Sequence, residues 1–105
     1  MSGKITSITL FNNRAFSNGE SFDSHIIDLT SAKGYFSCHC LVSGSINLTA
    51  EVSLDKSHWI PLSGFNKNLS DTEFVEAMDI PVSCFLRFNI TASSNGAVTL
   101  MFAYI

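Results

Sequence analysis

Charge is scarce in this sequence. Asp, Glu, Lys and Arg make up 14 % of its 105 residues, against roughly 25 % in an ordinary soluble domain. A chain this short holds one domain and one core, so Ser, Thr, Asn and apolar side chains must form much of its surface. Such a surface is poorly protected against association and suits a subunit whose faces are covered by neighbours. Basic charge is also dispersed: Lys4, Arg14, Lys33, Lys56, Lys67 and Arg87 nowhere cluster, and the formal net charge is −3. That spacing excludes the phosphate-tracking stripe of a direct nucleic-acid binder. No apolar run approaches the roughly 20 residues of a membrane helix. The opening Met1-Ser2-Gly3-Lys4-Ile5-Thr6 lacks the apolar stretch and cleavage site of a secretory signal. Repeats, low-complexity tracts and linker-like charge blocks are missing. The expectation is a single domain over 1–105, made in the cytoplasm and without a membrane partner.

Helical periodicity is nearly absent too. Its one candidate is Asp71-Thr72-Glu73-Phe74-Val75-Glu76-Ala77-Met78, where Ser70 and Glu73 resemble a capping box. The stretch is short and also alternates Phe74, Glu76 and Met78 against Val75 and Ala77, so it reads as a strand or irregular turn leading into Ile80-Pro81. Alternation of period two dominates elsewhere. Phe36, Cys38, Cys40 and Val42 form one apolar row, and Ile46, Leu48, Ala50, Val52 and Leu54 a second. Cys84, Leu86, Phe88 and Ile90 form a third, and Val98, Leu100, Phe102 and Tyr104 a fourth. Shorter strands are expected at Ile5 to Phe11, His25 to Leu29 and His58 to Leu62. Ser17-Asn18-Gly19-Glu20 and Ser31-Ala32-Lys33-Gly34 read as turns on either side of the His25 to Leu29 strand. Ser43-Gly44-Ser45 reads as a tight reversal making a hairpin, Ser93-Ser94-Asn95-Gly96 as another, and Leu54 to Trp59 as a third hairpin tip. The pattern predicts an all-β fold: an antiparallel two-sheet sandwich or jelly roll of seven to eight strands.

Cysteine comes as an odd set of three: Cys38, Cys40 and Cys84. Cys38-His39-Cys40 on a strand points both thiols to one face and the imidazole to the other. Two thiols so spaced, with Cys84, offer part of a zinc site, but the usual spacing is Cys-x2–4-Cys and no second ligand pair is visible. All three lie on the apolar phase of their strands, so core packing is the preferred reading and no metal or cofactor is expected. A Cys38–Cys40 disulfide would be strained. His39 faces away from both neighbouring thiols, so it cannot activate either of them. His25 and His58 stand near Ser and Asp only as often as chance allows in a Ser-rich chain, and no enzyme is expected. Glu20, Asp23 and Asp28 form one acidic group, and Asp71, Glu73, Glu76 and Asp79 a second. Neither has the dense spacing of a calcium loop, and both read as solvated faces. Asn47-Leu48-Thr49, Asn68-Leu69-Ser70 and Asn89-Ile90-Thr91 match the glycosylation triplet. Without a secretory signal they are accidents of composition.

Aromatics carry the remaining interest. Trp59 near a hairpin tip, with Tyr35 and Phe85 on the wetter phases of their strands, offers a sugar-stacking platform. Core cover or subunit contact competes with it and is preferred. On the last strand the outward phase carries Met101, Ala103 and Ile105, which is too apolar for a fully wetted face. These three are the candidate interface.

The segment Val52-Ser53-Leu54-Asp55-Lys56-Ser57-His58-Trp59 resembles a hairpin written Ser-x-Asp-Gly-x-x-Trp, found in small β-sandwich structural proteins of tailed bacteriophages. Lys56 stands where Gly is common. Ile27-Asp28-Leu29, Lys33-Gly34-Tyr35-Phe36-Ser37 and Pro81-Val82-Ser83-Cys84-Phe85-Leu86-Arg87-Phe88-Asn89 extend the resemblance. It implies a virion subunit, either a capsid decoration (cement) protein or a tail or head–tail component, made in the host cytoplasm. Its partners would be other copies of itself, with a trimer favoured, and capsid or tail proteins. Ser17 to Phe22 and Phe65 to Asp71 are the loops expected to reach such neighbours. It implies no catalytic residues. The alternative function is a glycan-binding module working through Trp59.

Overall fold

The computed structural model describes residues 4–81 and 83–105, and every regular element among them is a strand. In chain order these are β1 (Thr6–Phe16), β2 (Ser21–Asp23), β3 (Ile27–Asp28), β4 (Phe36–Ser53), β5 (Ile60–Met78), β6 (Phe85–Ala92) and β7 (Gly96–Tyr104). All pairings are antiparallel. On one edge β4 pairs with β5 from Phe36↔Met78 to Val52↔Ile60. On its other edge, Ser37 to Ser43 pair with β7 and Ile46 to Ser53 pair with β6. The segments β6 and β7 therefore run along β4 as one interrupted line. Beyond that line β1 pairs with β7, while β2 and β3 pair with β6.

This long sheet is folded over on itself. Phe88 on β6 and Phe102 on β7 have ring centroids 6.0 Å apart, although 14 residues of fully extended strand would separate them by about 46 Å. Phe65 packs on Phe88 at 5.9 Å and Phe36 on Phe102 at 6.2 Å, so the rings fill the space between two layers. The first layer is β1, β7, the first half of β4 and the second half of β5. The second layer is β2 with β3, β6, the second half of β4 and the first half of β5. Alternation sends Cys38, Cys40, Val42, Leu100 and Phe102 inward from the first layer, and Leu48, Ala50, Leu86, Phe88 and Ile90 inward from the second. This is the two-layer all-β architecture expected from the pattern, in seven strands.

The fold line passes through places where an extended chain is interrupted. In β4 the pairing register shifts between Val42 and Ser45, around Gly44 at φ 89°. Asp71 of β5 takes φ 44° beside it. The amides freed there are taken up by side chains of neighbouring lines, as buried or crowded backbone groups require. Gly44 N donates to Asp71 Oδ1 at 2.8 Å, Ser45 N to Ser94 Oγ at 2.8 Å, and Asn18 N to Asn95 Oδ1 at 2.9 Å.

Four local expectations change. Ser43-Gly44-Ser45 does not reverse the chain; it bends one continuous strand. Ser93-Ser94-Asn95-Gly96 likewise lets the chain continue in the same direction along β4. Phe65 to Asp71 lies within β5 and is not a loop. Asp71 to Met78 is strand, and Leu54 to Trp59 is the hairpin tip between β4 and β5. The His25 to Leu29 strand shrinks to Ile27–Asp28, and buried Ser24 before it separates β2 from β3: its N–H donates to Phe88 O, and its hydroxyl accepts from Phe88 N, both at 2.9 Å.

One outer edge of the sandwich lies along β5, and the opposite edges along β1 and along β2 with β3. Lys67 from the second layer forms an ion pair with Glu76 from the first, across the mouth between them. The Lys67 ammonium also lies 5.6 Å from the Phe65 ring centroid and 5.7 Å from that of Phe74. Charge turned inward on an edge strand is a recognised guard against indiscriminate strand addition.

Candidate functional site

The two outer faces of the sandwich differ in chemistry. On the first layer, register places Ser7, Ala103, Ser37 and Ala77 in one row, and Thr9, Met101, His39 and Val75 in the next. A third row runs Thr99, Leu41, Glu73. Val75 is 71 % exposed and Leu41 47 %, values high for aliphatic side chains on a sheet face. Within these three rows the ionisable side chains are His39 and Glu73, paired at 2.8 Å between Nε2 and Oε2. A shallow groove of about 250 Å³ runs between Ser7, Thr9, Ser37, Met101 and Ala103. Met101 and Ala103 thus share this face. Ile105 does not continue it: beyond the end of β7, its carbonyl accepts from the Lys33 and Gly34 amides and its N–H donates to Gly34 O. Leu41, Val75 and Ala77 enlarge the patch: the β4–β7 register brings Leu41 to it, and the β4–β5 register brings Val75 and Ala77.

The second layer presents a polar face. Trp59 lies beneath the Arg87 guanidinium, 4.2 Å from Cζ to the ring centroid. Lys56 Nζ is 4.7 Å from the Phe85 ring centroid. Arg87 Nε donates to Glu51 Oε1, which also accepts from Asn89 Nδ2 at 3.0 Å. Asn89 Nδ2 in turn donates to Asp23 Oδ1 at 2.8 Å. Trp59 and Phe85 therefore share a face, whereas Tyr35, 83 % exposed, stands apart on the loop before β4.

The hairpin tip holding Trp59 is a hydrogen-bonded loop. Ser53 Oγ accepts from the amides of Asp55 (3.2 Å) and Lys56 (2.9 Å) and donates to Asp55 Oδ1. Asp55 Oδ1 also accepts from the amides of Ser57 and His58, both at 2.8 Å, while Oδ2 lies 2.6 Å from His58 Nδ1. The His58 amide foremost, then its ring and the Ser57 amide, holds the Asp55 carboxyl well below the usual carboxylate range. Trp59 Nε1 donates to Lys56 O at 3.2 Å. Lys56 takes φ 66°, a left-handed conformation that glycine adopts more readily than lysine. His58 thus serves the loop.

Beside the tip is an open apolar hollow of about 540 Å³ lined by Val52, Leu54, Ile60, Pro81 and Cys84. Cys84 Sγ donates to Pro81 O at 3.0 Å. All three cysteines are buried in the core. Burial first, and then the Glu76 carboxylate, pushes the Cys38 thiol up to about 11. Burial pushes Cys40 up to about 12, and Cys84 also upward. They pack as small hydrophobes, as their phase in the strands implies. Among the described residues no three His, Cys, Asp or Glu side chains gather as a metal site.

Fold and faces define an all-β sandwich with two large, chemically distinct sheet surfaces. No protein-family model matches the chain, and no curated protein matches it in sequence. Solved structures share its fold. YomS, an SPBc2 prophage-derived protein, aligns with a TM-score of 0.60 at 13 % identity, over 96 % of this chain and 92 % of that one. PirA aligns with a TM-score of 0.56 at 8 % identity, over 99 % and 96 %. A chain in the structure of infectious bursal disease virus, Gx strain, aligns over 96 % of this chain with a TM-score of 0.55 at 11 % identity. The present chain spans only 32 % of that longer one. Two of these three folds thus come from a prophage or a virus, and the likeness is one of fold.

Proposed function

We propose that this protein is a structural subunit of a tailed-phage virion, a capsid decoration protein or else a tail or head–tail component, that acts through protein contacts and catalyses nothing. The observation that carries this reading is the outer face of the first layer, where Leu41, Val75, Ala77, Met101 and Ala103 lie together with one paired acid and base. The prophage and viral origin of two proteins sharing the fold supports it. The partners are other copies of this chain, in a closed ring with a trimer favoured, together with shell or tail subunits, and the protein resides in the virion.

Magnitudes define how the face works. Four strands about 4.8 Å apart and three rows of side chains make a patch of roughly 400 Å², about half of the ~800 Å² per partner in a stable pair. Burial of such a patch contributes at most about 10 kcal/mol at ~25 cal/mol per Å² of apolar area, because Ser, Thr, His39 and Glu73 share it with the apolar side chains, and the cost of association is itself ~4–15 kcal/mol. The face alone is marginal, so each subunit holds its place through several contacts at once. Met101→Asp puts a charge at the centre of the patch without touching the core. The expected result is dissociation in sedimentation velocity with an unchanged far-ultraviolet spectrum; a variant that assembles like wild type removes this face from the interface.

A further inference from the structure

We infer that the outer face of the second layer is a binding site for a neutral oligosaccharide, independent of the contacts that assemble the subunit. The reasoning begins with which polar atoms are engaged and which are not. Glu51 is fixed through Oε1, Asp23 through Oδ1, Asn89 through Nδ2 and Arg87 through Nε. Among the described residues, Glu51 Oε2, Asp23 Oδ2, Asn89 Oδ1 and the terminal nitrogens of Arg87 have no protein hydrogen-bond partner. None of them is a fully buried, unpartnered atom: the Arg87 and Glu51 side chains are 28 % and 20 % exposed, Asn89 is half-buried and Asp23 exposed. Each group is thus held in one orientation by one atom and offers another outward, which lowers the ordering cost of binding.

This free set is rich in acceptors, three oxygens against the Arg87 nitrogens, and it suits a ligand rich in hydroxyl donors. The Trp59–Arg87 stack closes one end of the row and holds the guanidinium flat against the ring, so that its terminal nitrogens are fixed in place. Charge sets the class: Glu51, Asp23 and Asp28, which pairs opposite Phe85, outnumber Arg87 and Lys56, so the face carries a slight negative charge that disfavours anionic sugars. Length follows from the strands. Trp59 before β5 and Asp23 on β2 are separated by three strand spacings, about 14 Å, the length of a di- or trisaccharide.

The test is an array of neutral, sialylated and uronic-acid oligosaccharides of two to six units, followed by calorimetric titration of the intact protein. Binding to neutral chains is expected, tighter for the trisaccharide than for its monosaccharide. Asp23→Ala, at the exposed end of the row, is expected to weaken it at least 5-fold, and Trp59→Ala at least 10-fold. Because Trp59→Ala also loosens the hairpin tip, thermal unfolding is recorded for both variants, and Asp23→Ala is the one expected to melt with wild type. Absence of binding to any neutral sugar at millimolar concentration, a preference for anionic sugars, or unchanged affinity in Asp23→Ala overturns the inference.

Discussion

At Gly96 an added Cβ would overlap the Ser43 carbonyl oxygen and approach Phe16 Cζ to 2.8 Å. Gly44 faces it across the fold line, where a Cβ would collide with Asn95 O at φ 89°. Backbone cannot retreat there without opening the bend, so Gly96→Ala is expected to cost about 3 kcal/mol or more. Gly19 has positive φ but open space around it, and Gly19→Ala is expected to cost only about 1 kcal/mol. Denaturant unfolding of the two variants checks this contrast; equal losses would mean that close approach at the corner is not the constraint. The thiols make a second residue-scale prediction. Cys38 and Cys40 titrate near 11 and 12 in the folded chain against an ordinary value of 9.0. Between pH 9 and 11 the unfolded chain has released protons that the folded chain retains, so stability is full below pH 9 and falls as pH rises through 11. Replacing both by Ala should flatten that alkaline decline, and a thiol reagent at pH 8 should label neither cysteine before unfolding.

At the scale of the element, the decisive objects are the bent strands. The row from Asn18–Asn95 through Ser94–Ser45 to Asp71–Gly44 joins all four lines of chain where they turn. Asp71→Ala and Ser94→Ala are each expected to lower stability by about 1 kcal/mol, with hydrogen exchange rising first at Gly44 and Ser45. Protection unchanged at those amides would count against the side chains as the clamps of the bend. These strands also mark where the sequence is legible. Alternation located the inward faces of β4, β6 and β7 down to Cys38, Cys40, Phe88 and Phe102, because period two depends only on the local pleat. It misread the two interruptions. A glycine between serines reports that extended structure breaks, whereas reversal or bending is decided by Asp71 and Ser94, distant in sequence. The candidate site divides in the same way. Met101 and Ala103 were legible from the phase of one strand, while Leu41, Val75 and the Arg87 stack on Trp59 depend on which strands become neighbours. Ile105 was misplaced because alternation was carried one residue past the end of β7.

For the whole molecule, folding one sheet over makes a slab of 42 × 32 × 21 Å that exposes two broad faces and confines the core between them. The scarcity of charge then acquires a location. The first face mixes Ser and Thr with exposed Leu41, Val75 and Met101 and is nearly uncharged, the second is a hydrogen-bonded polar network, and the β5 edge carries the Lys67–Glu76 pair. A subunit so built would hold its neighbours by the first face. The most direct measurement of that claim is the solution mass of the purified protein by light scattering during size exclusion, across a concentration series. A closed oligomer of fixed mass, a trimer foremost, is the expected result. A monomer at every concentration up to the millimolar range would contradict self-assembly through the apolar face.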